Sequence, residues 1–159
     1  MRGLEGNHLT HGKPMPTRYA PDTESGADAA STDEPTRALR ILIVEDEAIT
    51  AMHIEDIVRD LGHIVVDTVE NGPAAVTAAF TLRPDLMLID IRLAKGTDGI
   101  EAGMGIRRSL NIPLIFMSAH TDPATRKRAD AVKPFGYVVK PFAIDQIATL
   151  LDRVSEEIA

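Results

Sequence analysis

Runs of consecutive apolar residues alternate along the chain with longer stretches in which apolar residues recur every three or four positions. The continuous runs are typical of buried strands, and the longer stretches are typical of helices with one apolar face. The predicted strands cover residues 41–44, 63–69, 86–90, 113–118 and 137–140. The predicted helices cover residues 48–61, a segment opening at 71–73 and running through 80, 100–110, a segment opening at 122–123, and 143–158.

The alternation of strand and helix predicts the architecture. Short apolar strands separated by helices form parallel sheets whose two faces are covered, with right-handed crossovers. The predicted class is therefore α/β, a doubly wound sheet of five parallel strands with five helices.

The first part of the chain lacks this pattern. Residues 1–38 contain no Ile, Val or Phe, and they carry four prolines among scattered glycine, serine and charged residues. Such a segment buries too little apolar surface to offset the entropy lost on ordering. We therefore expect a disordered tail over residues 1–38 and one folded domain over residues 39–159.

Composition narrows the classes of function. The 159 residues include no cysteine, which excludes disulfides and thiol chemistry, and the net charge is −7. An acidic chain is a poor general ligand for nucleic acid or anionic membranes, and no apolar run approaches the ~20 residues of a membrane span. We expect a soluble, cytoplasmic protein that binds neither DNA nor a membrane directly.

Four of the predicted strands end in polar residues. Glu45 and Asp46 follow the first strand, Asp90 ends the third, Ser118 the fourth and Lys140 the fifth. The carboxyl ends of parallel strands form the ligand crevice of an open α/β sheet. An Asp on such a rigid mount can act as a nucleophile or a metal ligand, and the alternative is that Asp90 only caps a turn.

Three carboxylates at neighbouring strand ends repel one another unless a cation or a proton lies between them. Oxygen ligands that leave room for water suit Mg²⁺. Glu45, Asp46 and Asp90 are the candidate ligands. The alternative is that the acidic residues 45–47 only interact favourably with the N-terminus of the first helix, and both interpretations can hold together.

Lys140 and Ser118 complete the candidate site. Lys140 precedes Pro141, which restricts it to an extended conformation. Its ammonium can pair with Asp90 and then with an added phosphoryl group, whereas the alternative is a solvated surface lysine. The Ser118 hydroxyl can donate to a phosphoryl oxygen, or it is an ordinary strand-end serine.

Five segments in register resemble the receiver domain of two-component response regulators. They are ILIVEDE at 41–47, LIDIRL at 88–93, DG at 98–99, MSAH at 117–120 and GYVVKPF at 136–142. The resemblance covers about residues 40–157. It implies the flavodoxin-like fold with strand order 2-1-3-4-5.

The resemblance also implies roles for individual residues. Asp90 matches the phosphoacceptor, and the Asp46 and Asp90 side chains with the Arg92 backbone carbonyl match the Mg²⁺ ligands. Glu45 matches an acid that acts on the metal through water or from further out.

The remaining matched residues concern switching. Lys140 matches the lysine that stabilises the phosphoryl group, and Ser118 matches the switch hydroxyl. Tyr137 matches the aromatic side chain that turns inward when the hydroxyl moves, and the alternative is a half-buried core tyrosine. Arg92 and His120 flank the route of attacking water in this family, although His120 is equally well an ordinary loop residue.

The implied function is to accept a phosphoryl group from a histidine kinase or a phosphotransfer protein, with Mg²⁺, and to switch a surface that contacts a downstream protein. The chain is then not an enzyme beyond its own phosphorylation and dephosphorylation. Because few residues follow the last helix, we expect a receiver without an output domain. A receiver that acts as a phosphate sink is the alternative within the family.

Two other classes fit the residues less well. A phosphohydrolase of the haloacid dehalogenase type needs a second Asp two residues after the nucleophile, and Arg92 stands there. A nucleotide-binding module needs glycines between a strand and a helix, whereas Gly103 and Gly105 lie inside a predicted helix. The basic residues 126–128 are interpreted as a solvated helix face, or else as a docking surface for a partner.

The sequence departs from the common receiver pattern in two places. The loop from Asp90 to Gly99 is one residue longer, with Ala94 where a proline is usual. Residues 133–135 read Lys-Pro-Phe, a second copy of the tripeptide at 140–142. Lys133 precedes the fifth strand, at the wrong end of the sheet, so we assign the site to Lys140.

Overall fold

A computed structural model describes residues 37–94, 98–119 and 122–159. The strands are β1 (Arg40–Val44), β2 (Ile64–Val69), β3 (Leu86–Asp90), β4 (Leu114–Ser118) and β5 (Gly136–Val139). The helices are α1 (Ala48–Asp60), α2 (Gly72–Leu82), α3 (Gly99–Arg107), α4 (Pro123–Ala131) and α5 (Ile144–Ile158). Among the described residues, no helix is both long enough and apolar enough to cross a bilayer.

The five strands form one parallel sheet in the order β2-β1-β3-β4-β5, which confirms the predicted fold class and strand order. β3 lies at the centre, and all five of its residues are buried. Its uninterrupted apolar sequence follows from this position, because helices cover both faces of a central parallel strand.

Alternate strand residues point to opposite faces and build two cores. One face packs against α2, α3 and α4, and its largest strand residues are Leu42, Met87, Ile89, Leu114 and Phe116. The other face packs against α1 and α5, and its main strand residues are Ile41, Ile43, Leu88, Ile115 and Val138. The sheet is thus the middle layer of three, and only its edges are open to ligands.

Side-chain caps begin three helices at the carboxyl edge of the sheet. Asn71, Asp98 and Asp122 each accept a hydrogen bond of 2.8 Å from the backbone N–H three residues on. Each thereby satisfies one of the N–H groups that a helix N-terminus leaves unpaired. The caps agree with the predicted helix openings at 71–73 and 122–123.

Two helices differ from the prediction. Ile49 and Met52 belong to the apolar periodicity of α1, yet they are 79% and 63% exposed, since the sheet covers a neighbouring face that includes Ile54 and Val58. Helix α3 ends at Arg107, three residues before the predicted boundary. Leu110 continues the apolar pattern because it is buried beyond the helix end, so the pattern does not mark the boundary.

The predicted tail at 1–38 falls outside the described residues except for its last two. The division of the chain at residue 38 therefore stays a prediction.

Candidate functional site

Four neighbouring strands bring polar side chains to the carboxyl edge of the sheet. Glu45 directly follows β1, Asp90 is the last residue of β3, Ser118 the last of β4, and Lys140 directly follows β5. Because β1, β3, β4 and β5 are adjacent in this order, all four residues lie along one edge. Backbone bonds fix the register there: Ile91 N–H donates to the Met117 carbonyl at 3.0 Å.

The three predicted carboxylates form one cluster. Glu45, Asp46 and Asp90 each contribute an oxygen atom, and these atoms lie within 4.8 Å of one another. Glu45 is 2% exposed and Asp90 is 5% exposed. Carboxylates held this close in a poorly hydrated pocket destabilise one another unless positive charge or a proton compensates them.

Lys140 supplies part of that compensation. Its Nζ donates to Asp90 Oδ2 at 2.7 Å and to Glu45 Oε2 at 2.8 Å. Burial by itself lowers the pKa of Lys140, but the hydrogen bonds to Asp90 and Glu45 outweigh it and raise the pKa. The ammonium is therefore charged, and the interpretation of Lys140 as a solvated surface lysine is wrong. The peptide bond from Lys140 to Pro141 is cis.

One ammonium does not neutralise the whole cluster. Burial raises the pKa of Glu45 to about 7, the hydrogen bond from Lys140 opposes the increase, and the charge of Asp90 adds to it. Three carboxylates face one ammonium, so a further positive charge would favour the ionised form of Glu45 that burial disfavours. Hard carboxylate oxygens with surplus charge fit a divalent cation such as Mg²⁺.

Backbone N–H groups orient each carboxylate. The N–H of Arg92 donates to Asp90 Oδ1 at 2.9 Å, and the N–H of Glu47 donates to Glu45 Oε1 at 3.1 Å. The N–H of Ala94 donates to Asp46 Oδ2 at 2.8 Å. The loop after β3 therefore holds two of the three acids. The Ala94 contact could not be predicted from residue types, because its donor is a backbone group.

Gly99 is a site residue to which the sequence assigned no role. A Cβ at this position would lie 2.0 Å from the backbone oxygen of Asp90, and the Gly99 N–H donates to the Ile91 carbonyl at 2.9 Å. Only glycine permits this approach. The start of α3 is thereby packed directly on the peptide group of Asp90. The sequence signal for this packing was Asp98-Gly99, a helix-capping residue followed by glycine.

Ser118 and Tyr137 lie on the α4 side of the cluster. Ser118 is buried at the end of β4, and its carbonyl accepts the N–H of Lys140 at 2.8 Å. Tyr137 is half-buried, with its ring 6.1 Å from that of Phe116 and its hydroxyl hydrogen-bonded to Asp130. Burial and the bond to Asp130 raise the pKa of Tyr137 to about 12.

The structure brings together Glu45, Asp46, Asp90, Ser118 and Lys140, while the roles assigned to them and to Tyr137 stay predictions. The Arg92 side chain is exposed, and the role of its carbonyl as a metal ligand stays a prediction. His120 lies outside the described residues, as do residues 95–97 of the longer loop.

The sheet order and this edge define a class of protein: a flavodoxin-like α/β domain with an acidic, lysine-containing pocket at its carboxyl edge. Residues 41–152 match the model of the response regulator receiver domain, which confirms the resemblance read from the motifs. The chain belongs to the receiver domain family.

Relatives and solved structures agree with this assignment. The chain is similar to the phyllosphere-induced regulator PhyR of Methylorubrum extorquens, with 32% identity over 117 residues, 73% of this chain and 43% of that protein. It is 30% identical over 113 residues to the transcriptional regulatory protein PdtaR of Mycobacterium tuberculosis, 71% of this chain and 55% of that protein. The chain thus spans about half the length of these relatives.

A solved structure extends the likeness to three dimensions. The signal receiver domain of a modulated diguanylate cyclase from Desulfovibrio desulfuricans superposes with a TM-score of 0.72 at 35% identity, covering 76% of this chain and 95% of that domain.

Proposed function

We propose that the protein is a phosphoacceptor response regulator in which Asp90 takes a phosphoryl group from a histidine kinase or a phosphotransfer protein. The observation that carries this proposal is the environment of Asp90. Its carboxylate is buried at a rigid strand end, 2.7 Å from the Lys140 ammonium and within 4.8 Å of two further carboxylates. Membership of the receiver family supports the same function.

The transfer step follows from these groups. An oxygen of the Asp90 carboxylate attacks the phosphorus of a phosphohistidine, a P–O bond forms, and the P–N bond breaks. The electron pair of that bond leaves with the donor imidazole, and the product is an acyl phosphate on Asp90. Lys140 lies next to the attacking carboxylate, so its charge can stabilise the phosphoryl oxygens as negative charge moves onto them.

Asp46 and Asp90 are the side chains that would hold Mg²⁺, with the Arg92 carbonyl as a further ligand and Glu45 acting through water or from further out. When bound, the ion supplies positive charge that offsets the cluster and the incoming phosphoryl group. The remaining positioning belongs to the chain, because backbone N–H groups orient the three carboxylates.

Phosphorylation changes the charge of the pocket and thereby biases a switch. The new group adds about −1.5 to −2 charge beside Ser118 and Lys140. The Ser118 hydroxyl donates to the phosphoryl oxygens, and Tyr137 and the α4–β5–α5 surface repack in response. Hydrolysis of the acyl phosphate resets the protein. The chain performs no other catalysis, signals by protein contact, and acts in the cytoplasm with its phosphodonor.

The exposed apolar residues of α1 indicate where the phosphodonor docks. Ile49 lines a cavity of about 490 Å³ together with Lys140 and Phe142, and Met52 is a second exposed apolar residue of the same helix. A partner that covers this surface brings its phosphohistidine close to Asp90. Ile49→Lys should slow transfer from a kinase about tenfold or more, since it places a charge in an apolar contact.

Two controls separate docking from chemistry. Ile49→Lys should leave phosphorylation by acetyl phosphate unchanged, because a small donor needs no docking surface. Phe80→Lys, at a 41% exposed apolar residue of α2, should affect neither reaction. If Ile49→Lys slows phosphorylation by the kinase and by acetyl phosphate equally, this surface of α1 is not the docking site.

The function is tested by incubation with acetyl phosphate and Mg²⁺, followed by measurement of incorporated phosphate. We expect wild type to incorporate one phosphoryl group and Asp90→Asn to incorporate none, since an amide is not a nucleophile for this step. Asp85→Asn is the matched control at the opposite edge of the sheet and should behave as wild type. Undiminished incorporation in Asp90→Asn would overturn the assignment.

A further inference from the structure

Helix α4 is attached to the domain mainly by polar contacts. Ala129 is its only buried side chain, whereas α3, of the same length, has five buried residues. Apolar burial is the main source of helix docking energy. The position of α4 must therefore depend on the hydrogen bonds and ion pairs that it makes.

Its C-terminal end is fixed. Arg107, the last residue of α3, donates from Nη2 to the Lys133 carbonyl at 3.0 Å and from Nε to the Val132 carbonyl at 3.4 Å. Val132 is itself buried in the core shared with α2 and α3. Any displacement of α4 is therefore expected to pivot about this end.

A second arginine connects the body of α4 to the phosphoacceptor loop. Arg128 Nη2 donates to Asp98 Oδ2 at 2.7 Å, while Asp98 Oδ1 accepts the Glu101 N–H at 2.8 Å and caps α3. The next residue is Gly99, which is packed on the Asp90 peptide. The ion pair therefore joins α4 to a segment that cannot move independently of Asp90.

The other route from the pocket to α4 is the chain itself. Ser118 ends β4, and α4 begins five residues later at Pro123. If a phosphoryl group draws Ser118 toward it, we expect the N-terminal part of α4 to follow and the Arg128–Asp98 pair to resist this movement.

We propose that the Arg128–Asp98 ion pair is a positioning pair that holds α4 in its unphosphorylated position and thereby lowers the affinity of the Asp90 pocket for a phosphoryl group. This inference rests on the proposed function. A ligand that favours the displaced state must break the pair, so removing the pair raises the apparent affinity. The two side chains are 49% and 31% exposed, so we expect a change of only about two- to fivefold.

The test uses beryllofluoride with Mg²⁺, which mimics the phosphoryl group, on the full chain. Arg128→Gln removes the cation, and Asp98→Asn removes the anion while retaining a good helix cap. Each should bind beryllofluoride about two- to fivefold more tightly than wild type. The double variant should bind no more tightly than either single variant, because the two changes break one interaction.

Two controls distinguish this pair from charge and stability effects. Lys127→Gln removes an adjacent charge that forms no ion pair among the described residues, so its affinity should equal that of wild type. Arg107→Gln should lower the melting temperature, since it leaves the carbonyls at the end of α4 without their donor. Wild-type affinity in Arg128→Gln, or additive effects in the double variant, would overturn the proposal.

Amide hydrogen exchange tests the ion pair in the absence of a phosphoryl group, and therefore independently of the proposed function. Amide hydrogen exchange in α4 should be about two- to fivefold faster in Arg128→Gln than in wild type, with α5 unchanged. If wild type fails to bind beryllofluoride, the proposed function is overturned and the affinity claim with it. Unchanged exchange in α4 would contradict the claim that the Arg128–Asp98 pair holds this helix in place.

Discussion

Ionisable side chains are buried or half-buried both at the amino edge of the sheet, where the strands begin, and at the carboxyl edge, where the strands end. The partners of these side chains differ between the two edges. At the amino edge, His63 Nδ1 accepts the Leu39 N–H at 3.0 Å, and Asp85 Oδ2 accepts the Arg40 N–H at 2.8 Å. At the carboxyl edge, Lys140 donates to two acids, Asp90 at the end of β3 and Glu45 directly after β1.

The difference shows what separates a structural polar group from a reactive one. A side chain that accepts a backbone N–H at a strand start replaces a missing ladder bond, and the one carboxylate among the two, Asp85, is also paired with Arg37 at 3.1 Å. A cluster of acids around one ammonium has surplus charge that a ligand can neutralise. Burial is similar at the two edges, so the partners, rather than the burial, identify the site.

Lys140 and Lys133 each begin a Lys-Pro-Phe tripeptide, and they lie at opposite edges of the sheet. Substituting them one at a time should give the largest contrast between the edges. Lys140→Ala should lower phosphate incorporation by about 10²- to 10³-fold, because the charge that stabilises the phosphoryl oxygens is lost. Mg²⁺ should still bind, since the three carboxylates remain. Lys133→Ala changes the same tripeptide at the amino edge and should leave incorporation at the wild-type level. Equal incorporation in both variants would contradict the distinction.

Two glycines of α3 offer a contrast in stability. Gly99→Ala should cost about 3 kcal/mol of unfolding free energy or more, since its Cβ would lie 2.0 Å from the Asp90 backbone oxygen. Gly105→Ala meets no atom within 4 Å and should instead stabilise the helix by about 0.5–1 kcal/mol. Denaturant unfolding measures both. A neutral Gly99→Ala would show that α3 is not packed tightly on the Asp90 peptide.

His63 should give the smallest effect, confined to stability. Burial lowers the pKa of His63 below its ordinary value of 6.5, and the charge of Asp152 opposes this. The folded state thus binds the proton less readily than the unfolded state. Stability from His63 is present above pH 6.5 and is lost as the pH falls below that value. The bond to Leu39 contributes about 1 kcal/mol.

The measurement compares unfolding of wild type and His63→Gln at neutral and mildly acidic pH. The raised pKa of Glu45 acts in the opposite direction in both proteins, so the difference between them isolates His63. The difference should shrink as the pH falls, while Mg²⁺-dependent phosphorylation at neutral pH stays equal. A difference that grows on acidification would exclude the assigned hydrogen bond.

Local sequence patterns were sufficient for the strands and for the polar residues at their ends, whereas the strand order 2-1-3-4-5 came from the resemblance to receiver domains. Uninterrupted apolar runs mark strands, and strand order places the polar residues that follow them on one edge. The same logic assigned the site to Lys140 instead of Lys133, because only Lys140 follows a strand. Apolar periodicity was less informative on α1, where Ile49 and Met52 are exposed although their spacing is helical.

Contacts between distant segments were not predictable in this way. The basic residues of α4 were interpreted as a solvated face or a docking surface, yet Arg128 pairs with Asp98, thirty residues away, and Arg126 lies over the Tyr137 ring of β5. Such contacts depend on how α4 is placed against α3 and β5, which local patterns do not specify.

The most direct test of the account is to locate the phosphoryl group. The protein is phosphorylated with acetyl phosphate and Mg²⁺, the acyl phosphate is trapped by borohydride reduction, and the modified residue is identified by peptide mass mapping. The account predicts modification at Asp90 alone. Modification at Asp46, at Ser118 or at a histidine, with Asp90 intact, would contradict it.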